Sequence, residues 1–159
     1  MARDPLAYWV PEDRLACETV SSFEVLAGVG IQILTRMKHD VGDTPVGMVC
    51  GPISTGGLGS QEKNLQALTS WIAKLVSSGH PIFSQLPFES ALWRISNVSD
   101  CLGEFALLEG FYLKLFQSGL IGILYFLQNW QTSVGATWEH DQALALGIER
   151  KYLEGNLPF

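Results

Sequence analysis

The stretch GLIGILYFL, residues 119–127, is the feature that most restricts the fold of this chain. Its apolar residues are almost unbroken, whereas a strand with one solvent-exposed face alternates apolar with polar residues. The run is also far shorter than the roughly 20 apolar residues that cross a bilayer. It is therefore typical of a central parallel strand that helices cover on both faces.

Helical and strand patterns alternate on both sides of this run. Apolar residues at helical spacing predict helices at about residues 18–37, 61–77 and 102–116, and a further helix is expected at about 134–146. Short β-rich runs predict further strands at VGMVC (46–50), HPIFSQ (80–85) and IERKYL (148–153). This alternation predicts an α/β sandwich with a mostly parallel sheet.

Two segments show no clear periodicity. Residues 1–14 contain two prolines and two aromatic residues, and we expect a surface arm there. LPFESALWRISNVSD, residues 86–100, is expected to be a loop with one helical turn at most. We therefore expect residues 1–45 to form an arm and a helix packed on the domain or on a neighbouring subunit, and residues 46–159 to form the α/β domain.

Composition excludes several classes of function. Charged residues make up 16% of the chain and the net charge is −6, which argues against binding polymeric nucleic acid. The three widely spaced cysteines are typical of reduced thiols. The opening residues MARDPLAYWVPEDR lack the pattern of a signal peptide, so we expect a cytoplasmic protein without a membrane partner.

Three loops follow the first strands and are the places to look for a site, because ligands of parallel sheets bind beyond the carboxyl ends of the strands. These loops are GPISTGGLGS (51–60), SQLPFES (84–90) and QNWQTSVGATWE (128–139). The unusual polar and glycine residues of the chain gather in them.

The first loop is rich in glycine and hydroxyl groups. It lacks the Lys of a P-loop and the GxGxxG spacing of a dinucleotide-binding turn. Two interpretations stay open, a flexible turn or an anion site built from backbone amides and hydroxyls at the start of a helix. The residues concerned are Gly51, Pro52, Ser54, Thr55, Gly56 and Gly57.

The third loop leads to Glu139. Ser133 is a plausible N-cap of the helix that follows, and Gly135 leaves room for a ligand near the backbone. Glu139 is either a surface charge that complements the helix dipole, or an ionised nucleophile aimed into a pocket. Spacing alone does not separate the two.

The histidines indicate no metal site. His39, His80 and His140 have no partner residues at metal-ligand spacing. The GxSxG elbow of serine hydrolases is absent as well. We expect no metal and no cofactor.

Taken together, VCGPIST, GHPIFSQ, LLEGFY, LIGILYFLQNW and SVGATWEHDQALALGI resemble the nucleoside 2-deoxyribosyltransferase superfamily, in particular its bacterial and phage branches. The resemblance covers about residues 46–150. It implies a Rossmann-like, flavodoxin-like three-layer sandwich with four to five strands. It also implies a homodimer or larger homo-oligomer whose neighbouring subunits complete each pocket.

The resemblance also implies catalytic roles. The nucleophile of the superfamily corresponds to Glu139, and the second acidic group corresponds to Glu109 in LLEGFY, where relatives often have aspartate. Asp100 is the alternative acid. Nucleotide-specific relatives hold a 5′-phosphate at positions that correspond to Ser54 and Ser133, and Trp93, Phe88, Tyr112 or Trp130 replaces the aromatic residue that stacks on the base.

We therefore expect an enzyme that cleaves or transfers across the N-glycosidic bond of a (deoxy)nucleoside or its 5′-monophosphate. The glycine-rich loop favours the nucleotide. Water as acceptor makes the enzyme an N-glycosidase, and a second base makes it a transferase. The alternative is a non-catalytic nucleotide-binding module on the same fold.

Overall fold

A computed structural model describes residues 2–53, 56–98 and 104–154, which form an α/β unit. The helices are α1 (Pro11–Thr19), α2 (Phe23–Val41), α3 (Gln61–Ser77), α4 (Glu89–Val98), α5 (Glu104–Leu107), α6 (Leu113–Gln117) and α7 (Val134–Leu146). A π-helical turn, Leu108–Tyr112, joins α5 to α6. The strands are β1 (Gly47–Cys50), β2 (Ile123–Phe126) and β3 (Glu149–Tyr152). No helix among these residues has the length and apolar character needed to cross a membrane.

The three strands form a parallel sheet in the order β1-β2-β3. A single parallel bridge between Gly47 and Ile82 extends it on the other side of β1. The predicted strand HPIFSQ is reduced to this bridge, because the chain leaves the sheet after Phe83 and enters a 3-10 turn, Leu86–Phe88. Over the residues described, the sheet thus has fewer strands than the four to five predicted.

The prediction of a central strand covered on both faces is confirmed for β2. All four of its residues are buried. Leu124 and Phe126 belong to a large apolar cluster with α2, whereas Ile123 and Tyr125 belong to a second cluster with α3. Side chains of a strand point alternately to its two faces, so helices lie on both sides of the sheet.

The predicted helices α3 and α7 have the expected bounds. The side chain of Ser60 accepts a hydrogen bond from the Lys63 amide at the start of α3, and Ser133 does the same for Ala136 at the start of α7. Such caps satisfy amides that have no partner within the helix. Gly147 ends α7 in the left-handed conformation, with a φ of 71°.

The N-terminal segment is more structured than an arm. It forms a 3-10 turn, Pro5–Tyr8, and α1, and the predicted helix at 18–37 is instead α2. Ser22 caps α2 through the Val25 amide and explains the shift of the helix start. Leu26, Ile33 and Leu34 of α2 are fully buried against the sheet.

An ion pair fastens α1 to α2. Arg36 Nη1 lies 2.7 Å from Asp13 Oδ2, and the Asp13 side chain is only 3% exposed. The same carboxylate accepts a hydrogen bond from the Val10 amide at 2.9 Å, and Arg36 also donates to the Tyr8 carbonyl. Asp13 therefore joins three parts of the N-terminal segment.

Residues 86–98 correct the expectation of a loop. They form the 3-10 turn and the ten-residue helix α4, whose Ala91, Leu92 and Ile95 pack in the core. Only three or four apolar residues mark its inner face, and Pro87 precedes it, so the sequence pattern resembles a loop. This helix lies at the site described next.

The Asp13 contacts lead to a stability prediction. Asp13→Ala leaves Arg36 and the Val10 amide without their partner, and we expect a loss of about 2–4 kcal/mol in the free energy of unfolding. Glu12→Ala is the matched control, since Glu12 is an exposed carboxylate in the same helical turn. Urea unfolding measures both variants, and equal losses would contradict this role of Asp13.

Candidate active site

A cavity of about 260 Å³ opens beyond the carboxyl end of β1. Its walls include side chains from all three loops that the sequence indicated. The residues that line it include Gly51, Gln85, Glu89, Tyr112, Ser133 and Glu139. The volume is close to the lower end of the roughly 300–1,000 Å³ typical of small-molecule sites.

Glu139 lies on the inner face of α7. The buried residues of this helix are Ala136, Glu139 and Ala143, which follow one another at helical spacing. Glu139 therefore occupies a position where an apolar residue would be expected, and it is only 7% exposed. The small alanines on either side leave its carboxyl group at the wall of the cavity.

The carboxyl group of Glu139 contacts the end of β1. The buried thiol of Cys50 donates a hydrogen bond to Glu139 Oε2 over 3.4 Å. Burial and the neighbouring Glu139 charge hold the pKa of Cys50 well above its usual value, so the sulfur keeps its proton. This contact fixes one oxygen of Glu139 against the sheet.

Burial is the main reason why the pKa of Glu139 differs from that of an exposed glutamate. It raises the pKa to about 8, and the negative charge of Glu89 acts in the same direction while the Cys50 hydrogen bond opposes it. The expectation that the helix dipole keeps Glu139 ionised is therefore not met at neutral pH. The dipole acts within the first turn, and Glu139 lies in the second turn of α7.

Glu89 supplies a second carboxyl group to the same cavity. It is the first residue of α4, and burial raises its pKa, while the hydroxyl of Tyr112 donates to Glu89 Oε1 over 3.5 Å and lowers it. Burial and the Glu89 charge raise the pKa of Tyr112 well above its usual value. Tyr112 thus remains a hydrogen-bond donor at any ordinary pH.

Glu109, the predicted second acid, does not take this position. Glu109 is exposed and is not among the residues that line the cavity, because it lies on the outer side of the π-helical turn. Leu108 and Tyr112 of that turn face the cavity instead, and Gly110 packs against Phe23. Asp100 lies outside the described residues.

Of the predicted binding residues, four line the cavity: Gly51, Tyr112, Ser133 and Gly135. Ser133 is buried and its hydroxyl already caps α7. A Cβ added at Gly135 would meet only ordinary contacts, so the backbone there is open toward the cavity. This agrees with the predicted room for a ligand beside Gly135.

Of the four aromatic residues predicted to stack on the base, Tyr112 and Trp93 line the cavity, whereas Phe88 and Trp130 do not. Trp93 lines the rim of the cavity and is 70% exposed. Phe88 is fully buried in the core. Trp130 stacks on the ring of His140, with centroids 4.2 Å apart, and is not among the lining residues.

The glycine-rich loop is braced from within the protein. The Gly57 amide donates to Thr132 Oγ1 over 2.7 Å, and the Asn64 side chain binds the carbonyls of Ile53 and Gly56 and the Leu58 amide. The Gly57 and Leu58 amides, which an anion site would use, are therefore already bound within the protein. Pro52 lines a separate cavity of about 150 Å³. Gly56 and Gly57 border a shallow depression beside Thr132. Ser54 and Thr55 lie outside the described residues.

Sequence reasoning missed Gln85 and Glu89 as individual residues, although both lie in the loop SQLPFES. The order of predicted elements would have indicated them, because this loop follows the segment that pairs with β1. Among the described residues, no group of three or more His, Cys, Asp or Glu side chains has the geometry of a metal site.

Comparison of the chain with models of known protein families, with curated proteins and with solved structures gave no match. The family resemblance therefore depends on the short motifs themselves.

The raised pKa of Glu139 leads to a stability prediction. Because the folded state keeps this proton up to about pH 8 and an unperturbed carboxyl loses it near 4.5, unfolding becomes easier as the pH rises between these values. Glu139→Gln removes the effect, so we expect a gain in unfolding free energy that grows from pH 5 to pH 8 and reaches a few kcal/mol, at about 1.4 kcal/mol per pKa unit.

Asp141→Asn is the matched control, since Asp141 is an exposed acidic residue two positions further along α7. Denaturant unfolding at several pH values measures the difference. A gain for Glu139→Gln that is the same at pH 5 and pH 8 would show that its carboxyl is not held protonated by burial.

Proposed function

We propose that the protein cleaves or transfers across the N-glycosidic bond of a (deoxy)nucleoside or its 5′-monophosphate, with Glu139 as the nucleophile. The observation that carries the proposal is the buried carboxyl of Glu139 at the wall of the cavity, opposite a second carboxyl, Glu89. Retaining glycoside hydrolysis requires one ionised carboxyl group as nucleophile and one protonated carboxyl group as acid. The motif that ends in Glu139 also resembles the catalytic motif of nucleoside 2-deoxyribosyltransferases.

The arrangement of strands supports a ligand at this place. Counting the segment at Ile82 as a strand, the order along the sheet is second, first, third, fourth, which is the order of flavodoxin-like folds. On this Rossmann-like interpretation the winding direction reverses between β1 and β2. Ligands of such sheets bind beyond the strand ends at that reversal, and Gly51 of the cavity directly follows β1.

The first chemical step starts from the form in which Glu89 holds the single proton of the carboxyl pair and Glu139 is ionised. An oxygen of Glu139 then attacks the anomeric carbon and the carbon–nitrogen bond to the base breaks. The base leaves with the bonding electron pair and takes the proton of the Glu89 carboxyl. Cys50 binds Oε2 of Glu139, which leaves Oε1 as the attacking oxygen. The product is a glycosyl ester on Glu139.

In the second step, water or a second base attacks the anomeric carbon of the ester and releases the Glu139 carboxylate. Glu89, now ionised, accepts the proton of the attacking group, as microscopic reversibility requires. Water gives a free sugar, and a base gives a new nucleoside. Access of bulk water to the cavity decides between the two.

One observation favours the alternative of a non-catalytic binding module. With a pKa of about 8, Glu139 is mostly protonated at neutral pH and is then a poor nucleophile. The proposal therefore requires that this proton pass to Glu89 before the attack, so turnover should fall in alkaline solution, where the pair has lost its last proton. A binding module has no such requirement.

Variants of the two carboxyl groups test the proposal. We expect Glu139→Gln to lower base release by roughly a thousandfold or more, because no nucleophile remains. Glu89→Gln should lower it by about 10²–10⁴, the usual contribution of a general acid. Chromatography of free bases from a panel of 2′-deoxynucleosides and their 5′-monophosphates measures both, with Asp141→Asn as control.

The role of Glu89 has its own readout. A 7-methylated purine base leaves without needing a proton, so the Glu89→Gln defect should shrink with such a substrate while the Glu139→Gln defect remains. Binding of nucleosides without base release, unchanged in Glu139→Gln, would instead establish the binding module.

A further inference from the structure

Gln85 has a fixed side chain at the wall of the cavity. It lies between the bridge at Ile82 and helix α4 and is 2% exposed. Its Nε2 donates a hydrogen bond to the carbonyl oxygen of Val49 in β1 over 2.7 Å. A carbonyl oxygen only accepts, so the amide nitrogen must face Val49, and the amide oxygen Oε1 must face the other way.

Oε1 of Gln85 is buried and has no hydrogen-bond partner within the described residues. Buried polar side-chain atoms of folded proteins are paired in the large majority of cases. An acceptor left open beside a cavity is therefore suited to a donor on a ligand. The Val49 contact keeps the amide from turning, so that the site offers an oxygen and not a nitrogen.

The charged side chains of the cavity are all acidic. Glu89 and Glu139 line it, and the described lining residues contain no Lys, Arg or His. The residues outside the described ranges have none of these side chains in the sequence either. A phosphate group placed in this cavity would face two carboxyl groups without a cation of this chain, which is an unfavourable environment for an anion.

The two long walls of the cavity differ in chemistry. On α4, Glu89, Leu92, Trp93 and Ser96 line it at the spacing of one helical face. With Gln85, this wall provides an acceptor, a carboxyl group and an aromatic surface, which suit the edge and the face of a base. The opposite wall, from Ser133 to Glu139 on α7, carries the nucleophile and so faces the sugar.

We infer that the substrate is an unphosphorylated nucleoside whose base carries an amino group, and that Gln85 Oε1 accepts a hydrogen bond from that group. The inference rests on the proposed function for the placement of the sugar. It selects the nucleoside over the nucleotide that the glycine-rich loop had favoured. Gln85 is then the residue that determines specificity for the base.

Three compounds test this directly: 2′-deoxyadenosine, purine 2′-deoxyriboside, which lacks only the amino group, and 2′-deoxyadenosine 5′-monophosphate. Titration calorimetry at pH 6, with chromatography of the recovered ligand to show that the base is still attached, measures binding. We expect 2′-deoxyadenosine to bind at least about tenfold more tightly than either of the others. Purine 2′-deoxyriboside lacks the amino group that would donate to Gln85 Oε1, and the monophosphate adds the repulsion between its phosphate and the carboxyl groups of the cavity. Equal affinities, tighter binding of the monophosphate or no binding would overturn the inference.

Gln85→Met keeps the length of the side chain and removes the acceptor. We expect the preference for 2′-deoxyadenosine over purine 2′-deoxyriboside to fall to about one, with little change in the affinity for the latter. A merely structural role of Gln85 would weaken both ligands equally and leave the ratio unchanged. Gln66→Met, an exposed glutamine on α3, is the control.

Binding and base release separate this inference from the proposed function. A preference for the amino group without release of the base supports the role of Gln85 while the proposed reaction fails. Release of the base at equal rates from amino-bearing and amino-lacking nucleosides overturns the role of Gln85 while the reaction stands. The wild-type measurements decide even where Gln85→Met does not fold.

Discussion

The burial of a carboxyl group on the inner face of α7 is the constraint on which the site depends. An apolar side chain at position 139 would stabilise the core, whereas a glutamate there must keep its proton or find a compensating charge. Among the described residues, the only hydrogen-bond donor to its carboxyl is the weakly donating Cys50 thiol. A costly residue at such a position is typical of function, and proteins often exchange stability for activity at these places.

The parallel sheet gives this carboxyl group its surroundings. Because β1 and β2 end at the same edge, the segments that follow them meet there, and Gly51 lies near the start of α7. Helix α4 brings Glu89 to the cavity, and the segment before the 3-10 turn brings Gln85. Each wall comes from a different part of the chain, so the cavity exists only in the folded protein.

Much of the fold could be predicted from the sequence, because β2 and α3 have strong patterns of apolar residues, and serine residues cap α3 and α7. Glu139 could be indicated as well, although not its protonation, which depends on burial. The pattern could not identify α4, whose inner face has few apolar residues. The family resemblance placed the second acid at Glu109, since the π-helical turn that points Glu109 outward has no signature in the residues themselves.

The central claim is that the side chain at position 139 forms a bond to the sugar. Incubation with a 2′-fluoro-arabinosyl nucleoside, whose glycosyl ester is hydrolysed slowly, followed by peptide mass spectrometry, tests it most directly. The proposed mechanism predicts a fluorosugar adduct on Glu139 that forms more slowly in alkaline solution and is absent from Glu139→Gln. Release of the base with no adduct, or with an adduct on another residue, would contradict this role of Glu139.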